Sequence, residues 1–190
     1  MRAGLLATVL VGTIAATVLA SAGQAVEGRS VSVTELKAEI ISRFAPYIEW
    51  PAAALPPDAP MLLCVVNDEG VADALQRAIG DRTVGGHKLA VRSLSADAPL
   101  PACQVLYVAG PDAKRALATV ATTPVFTMGD ASDFVSTGGM VKLFRRNDRL
   151  RFEVNLQPIQ RAGMKLSSRV LALADVVRDG RSVVTSNERD

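Results

Sequence analysis

Histidine occurs once in this 190-residue chain, at His87, and cysteine twice, at Cys64 and Cys103. One imidazole excludes a histidine-built metal centre, and two thiols exclude a four-thiolate zinc or iron–sulfur site. The two cysteines lie far apart, so the Cys-x-x-Cys unit of thiol redox enzymes is missing as well. Charge of one sign is also scarce. Lys and Arg number 21 and Asp and Glu 19, a net +2, which excludes a strongly basic nucleic-acid binder and an acidic disordered tail protein. Aromatic residues make up only 4%, so the core must be built from Val, Leu, Ile and Ala. That supply is ample, because 49% of the residues are hydrophobic and the length suits about one domain.

Catalytic signatures are missing too. A Ser-His-Asp triad would have to use His87, which follows Gly85-Gly86 in an expected turn, and no Gly-x-Ser-x-Gly elbow occurs. His87 is expected to be a solvated turn residue. Gly138-Gly139 is followed by a strand pattern and no Gly-Lys-Ser/Thr, so it is not a phosphate loop. Gly80, Gly85 and Gly86 lack the dinucleotide spacing. Asp130 and Asp133 sit at an expected helix start, where capping explains them. The expectation is a protein without metal, cofactor or catalytic set.

Long apolar runs are confined to the first segment. Arg2 precedes an apolar stretch over residues 5–20, and Ala20-Ser21-Ala22 has the small-x-small pattern of signal-peptidase cleavage, with Gly23-Gln24-Ala25 as a second site. Residues 1–22 therefore read as a signal peptide; the alternative is a single membrane anchor, against which the short run and the missing positive stop argue. The mature chain then begins near Gly23 or Val26 and is exported. In an oxidising compartment Cys64 and Cys103 are expected to pair, closing a loop that stabilises by about 4 kcal/mol on the chain-entropy model. Two small buried thiols that never meet is the alternative.

Along the mature chain, Ser32 and Glu35 form a capping box ahead of Leu36, Ile40, Ile41 and Phe44 at helical spacing. Pro46 should kink or end this helix near Tyr47 to Trp50. Pro51, Pro56, Pro57 and Pro60 mark an irregular connection. Strands are expected over residues 61–66, 88–94, 103–108 and 124–128. Helices are expected over 70–79 and 111–120, with a turn or two of helix over 130–135. The order is helix, then β-α-β-β-α-β, then a hairpin, then helix. This predicts a single-domain, layered α/β fold over residues 26–178, with a mixed, mainly parallel sheet flanked by helices and a C-terminal antiparallel hairpin. The polar tail, residues 179–190, is expected to be disordered.

The hairpin register follows from a two-residue Asn147-Asp148 turn. Arg146 then pairs with Arg149, Phe144 with Arg151, Lys142 with Glu153 and Met140 with Asn155. Leu143 with Phe152 and Val141 with Val154 form the apolar face. Lys142 opposite Glu153 is worth about 0.2–1 kcal/mol. The polar face gathers Arg149, Arg151, Glu153 and Asn155, as a solvated face or as a recognition surface. Trp50, the sole tryptophan, ends the kinked helix, where a half-exposed aromatic makes a binding anchor.

Four segments together resemble the YfiR-like family of exported bacterial proteins. Phe44-Ala45-Pro46-Tyr47-Ile48-Glu49-Trp50-Pro51 resembles its F-x-x-F/Y-V/I-E-W-P signature, and Leu62-Leu63-Cys64-Val65-Val66 its first strand. Gly138-Gly139-Met140-Val141 with Arg151-Phe152-Glu153-Val154-Asn155 resembles its GGMI…RFEIN hairpin. Ala162-Gly163-Met164-Lys165-Leu166-Ser167-Ser168-Arg169-Val170-Leu171 resembles its A-G-L-x-I-S-S-x-L-L ending. Lys142 departs from a frequent Asn, and the extra hairpin cysteines of some members are missing. The resemblance implies an α/β, dimer-forming periplasmic repressor. Such a protein binds the periplasmic sensor domain of an inner-membrane diguanylate cyclase, lowers cyclic-di-GMP and biofilm formation, and is released by an outer-membrane lipoprotein or a redox change. On that reading the partner contacts are Glu49 and Trp50 with Arg151, Glu153 and Asn155. A periplasmic small-ligand sensing domain is the alternative.

Overall fold

Ser32 and Glu35 close the predicted capping box. The Glu35 N–H donates to Ser32 Oγ (3.1 Å) and the Ser32 N–H to the Glu35 carboxylate (2.9 Å). They start α1, Val33–Phe44, in a computed structural model that describes residues 31–180 and 182–185. The expected signal segment, residues 1–22, lies outside the described residues. Among the described residues no helix is long and apolar enough to cross a membrane. Pro46 cannot continue α1, so the chain tightens into a 3₁₀ turn, Ala45–Tyr47. It then leaves as a two-residue strand, β1, Ile48–Glu49; of the two expectations, a kink or an end at Pro46, the helix ends. The extended state is fixed from afar: Ile48 pairs with Leu166 and Glu49 with Lys165.

The remaining elements follow in order: β2 (Met61–Val66), α2 (Glu69–Ile79), β3 (Thr83–Val84), β4 (His87–Leu94), β5 (Val105–Val108), α3 (Ala113–Val120), β6 (Phe126–Gly129), β7 (Val141–Arg146), β8 (Arg149–Asn155), α4 (Leu156–Arg161), β9 (Lys165–Leu166), α5 (Ser168–Leu171), β10 (Val176–Arg178) and β11 (Val183–Thr185). Nine strands form one sheet in the order β11-β10-β8-β7-β6-β5-β2-β4-β3. The pairs β2–β4, β2–β5, β5–β6, β6–β7 and β8–β10 are parallel. The pairs β3–β4, β7–β8 and β10–β11 are antiparallel. This is the predicted α/β fold.

Strand alternation divides the core in two. Leu63, Val65, Val105, Tyr107, Phe126 and Met128 pack with α1 and α2 on one face. Cys64, Val66, Leu106 and Val108 pack with Ala113 and Leu117 of α3 on the other. Cys64 and Cys103 are joined as a disulfide with Cα atoms 6.0 Å apart, inside the α3-side cluster.

Three local expectations are revised. Residues 130–135 form turns and no helix, because the buried Phe134 ring fills the space over Gly129 and Gly139, where any Cβ would overlap it. His87 is the half-buried first residue of β4, and its Nδ1 lies 2.7 Å from the Ala59 carbonyl, pinning the proline-rich connection. Within the tail expected to be disordered, Val183–Thr185 form β11, whose Val184 pairs with Val177, a ladder that a polar composition over residues 179–190 hides; residues 181 and 186–190 lie outside the described residues.

Candidate functional site

The β7–β8 hairpin turns at Asn147 and Asp148, both left-handed (φ 49° and 56°), the pattern of a type I′ turn. That turn fixes the register as predicted, including Lys142 opposite Glu153 and Phe144 opposite Arg151. Val141, Leu143 and Val154 are buried in the α1-side core, so alternation sends Lys142, Phe144, Arg151 and Glu153 to the other face.

Glu153 is only 4% exposed. Lys142 Nζ reaches its carboxylate at 2.8 Å, and the Arg178 guanidinium of β10 donates from the other side. Burial alone would raise this carboxyl's pKa. The hydrogen bonds from Lys142 and Arg178 outweigh burial and hold it below the usual range. Asp175, 7% exposed, forms a parallel clamp between Arg146 (3.1 Å) and Arg151 (3.6 Å). The Phe144 ring lies between Lys142 Nζ (5.6 Å) and Arg146 Cζ (5.4 Å). Asn155 works locally: its side-chain oxygen accepts the Gln157 N–H (3.2 Å) to cap α4, and its Nδ2 donates to the Val135 carbonyl (3.4 Å). Two buried acids thus hold four cations in fixed positions. Beside them opens a cleft of about 580 Å³ lined by Lys142, Phe144, Arg146, Glu153 and Arg178, with Asp130 at its margin.

Asp130, expected to be a helix cap, belongs to a cluster the sequence did not reveal. Its carboxylate accepts from Lys37 Nζ (2.6 Å), the Tyr107 hydroxyl (2.9 Å) and the Gly110 N–H (3.0 Å). Burial would raise its pKa, but Lys37, Gly110 and Tyr107 together lower it. Tyr107, fully buried, has its hydroxyl pKa raised first by burial and then by the charge on Asp130. The cluster lies at the carboxyl ends of β5 and β6, next to the point where strand order reverses between β4, β2 and β5. Open α/β sheets commonly bind ligands there; here an ion pair from α1 fills the place.

Trp50 is half-buried against the α1-side core, and its indole Nε1 is buried with no acceptor among the described residues. Arg151 Nε on the hairpin is likewise buried without an acceptor. Glu49 is exposed, 3.7 Å from Lys165 Nζ. The five residues singled out in the sequence therefore do not converge. Trp50 packs on the α1 side of the sheet and the hairpin's polar residues face the other way. Lys142, Arg146, Asp175 and Arg178 complete the hairpin site; a basic residue facing a strand acid was the only available signal for them.

Comparison with known proteins adds two findings. A family model described as YfiR/HmsC-like matches residues 34–175. A crystal structure of a conserved domain protein from Vibrio cholerae O1 biovar El Tor is similar in fold, with a TM-score of 0.51 at 14% sequence identity. That similarity covers 78% of this chain and 61% of the Vibrio chain.

Proposed function

The chain belongs to the YfiR/HmsC-like family, a family of periplasmic regulators, and from that premise we propose that it binds and represses the periplasmic sensor domain of an inner-membrane diguanylate cyclase. Residues 1–22 act as a cleaved signal peptide, and residues 26–178 form the working domain. The consequence of binding is lower cyclic-di-GMP and less biofilm. The protein carries out no covalent chemistry on its partner, works as a homodimer, and is relieved by an outer-membrane lipoprotein.

The family match carries this reading, since the resembling hairpin and the Glu49-Trp50-Pro51 segment both fall within the matched residues 34–175. The hairpin geometry supports it. A face whose cations are already fixed by Glu153 and Asp175 loses little side-chain entropy when a partner docks. Glu49, Trp50, Arg151, Glu153 and Asn155 are the proposed contacts, with Glu153 and Asn155 acting by holding the surface in shape. Repression requires the protein to prefer one state of the sensor domain. Moving that domain from 99:1 active to 1:99 takes about a 10⁴-fold preference.

The test is deletion of the gene with cyclic-di-GMP measured in the same strain. A rise that is reversed by the wild-type chain is expected. An unchanged level, or no complex between the purified chain and the sensor domain, counts against repression.

A further inference from the structure

A separate groove lies between α3 and α4. It has a volume of about 340 Å³, and none of Glu49, Trp50, Arg151, Glu153 or Asn155 lines it. Helical spacing builds both walls: Lys114, Leu117 and Ala118 from α3 with Ala121 just past its end, and Pro158 and Arg161 from α4 with Ala162 just past its end. Val125, Thr127 and Met140 form the floor.

Its charge is one-sided. Lys114 and Arg161 are the ionisable lining residues, and no carboxylate lines it among the described residues. The nearest acid in sequence, Asp112, is engaged by Arg115 (3.1 Å) and Asn67 (2.7 Å). Neither Lys114 nor Arg161 makes an ion pair among the described residues, in contrast to the clamped cations of the hairpin. Thr127 adds a donor. It is 2% exposed and lines the groove, its hydroxyl oxygen accepts the Met140 N–H (3.1 Å), and its own O–H has no acceptor among the described residues.

We propose that this groove binds a small organic monocarboxylate with a short apolar body. Lys114, Arg161 and the Thr127 hydroxyl take the carboxylate; Leu117, Val125 and Met140 take the body. The volume is at the lower end of ligand sites, about 300–1,000 Å³, which suits one ring or a short alkyl chain. Two cations and one buried hydroxyl suit a carboxylate, and the apolar floor disfavours a bare inorganic anion.

The experiment titrates the purified full chain with phenylacetate, with phenylacetamide and phenethylamine as neutral and cationic counterparts. It is followed by amide NMR and calorimetry. Saturable shifts are expected at residues 117–121, Gly138 and Ala162 with phenylacetate only. Affinity should fall about tenfold or more in Lys114→Gln and in Arg161→Gln, as for a lost charge-assisted hydrogen bond. It should vanish in Ala118→Trp, which fills the groove from an exposed helix position and replaces no core side chain. Equal binding of the amide, unchanged affinity in Ala118→Trp, or no saturable shifts with phenylacetate would each overturn the site. Protection of these amides by the cyclase sensor domain, with no response to phenylacetate, would also overturn it by assigning the groove to a protein. The cyclic-di-GMP assay does not depend on these residues, so the two proposals fail separately.

Discussion

Glu153 carries more of this molecule than its place in a charged strand suggests. Replacing it with Gln leaves Lys142 and Arg178 facing each other across a buried position. Removing one partner of a buried ion pair costs about 3–5 kcal/mol. Arg178 is nearly half exposed here, so about 2 kcal/mol is the expected loss, read as a lower urea midpoint. Asp130 and Glu153 also set an acid limit. Both have folded-state pKa values below their unfolded values, about 3.9 for Asp and 4.3 for Glu. Their stabilisation is complete above those unfolded values and is lost as pH falls through the lower folded ones. The urea midpoint should therefore hold steady above about pH 5 and drop below about pH 4, less steeply in Asp130→Asn. The Lys142–Glu153 pair could be read from the chain, because a two-residue turn dictates which side chains stand opposite. Asp130 could not: its strongest partner, Lys37, is 93 residues earlier, and a carboxylate near an apparent helix start looks locally like a cap.

Elements with their own hydrophobic signal were the legible ones. The continuous apolar run of β2, the amphipathic α2 and the hairpin strands all declare themselves through local periodicity. β1 and β9 have two residues each and exist only through pairing with each other from distant parts of the chain. No window of sequence shows them, and Pro46 alone suggested a broken helix where a strand follows. The disulfide belongs to this scale, since it ties β2 to the approach of β5 across 39 residues. Replacing Cys64 and Cys103 together by Ala should lower unfolding free energy by about 4 kcal/mol, less any residual structure in the unfolded chain. Reductant should shift the wild-type thermal midpoint down and leave that of the double variant unchanged. Gly139→Ala tests the turn over residues 130–135. The new Cβ would meet the Phe134 ring, and because Phe134 is fully buried, destabilisation by about 1–3 kcal/mol is expected.

Across the whole molecule the sheet acts as a partition. Trp50 packs with α1 on one side, and Arg151 with the Asp175 clamp lies on the other. The split matters for how a partner can be held. A sensor domain that contacts both must wrap a sheet edge or meet two copies of the chain. One that contacts a single face leaves the other set idle. A double-mutant cycle separates these cases. Trp50→Ala and Arg151→Ala are each made alone and together, and affinity for the purified sensor domain is measured by calorimetry, with thermal midpoints checked for folding. Residues on opposite faces with no shared neighbour should act additively, within about 0.3–0.5 kcal/mol. If both sets make contact, each single variant weakens binding and the double variant shows their sum. If only the hairpin face binds, Trp50→Ala leaves affinity unchanged and Arg151→Ala carries the loss. A coupling above about 1 kcal/mol would contradict the partition itself, because it requires the two side chains to touch one patch of the partner.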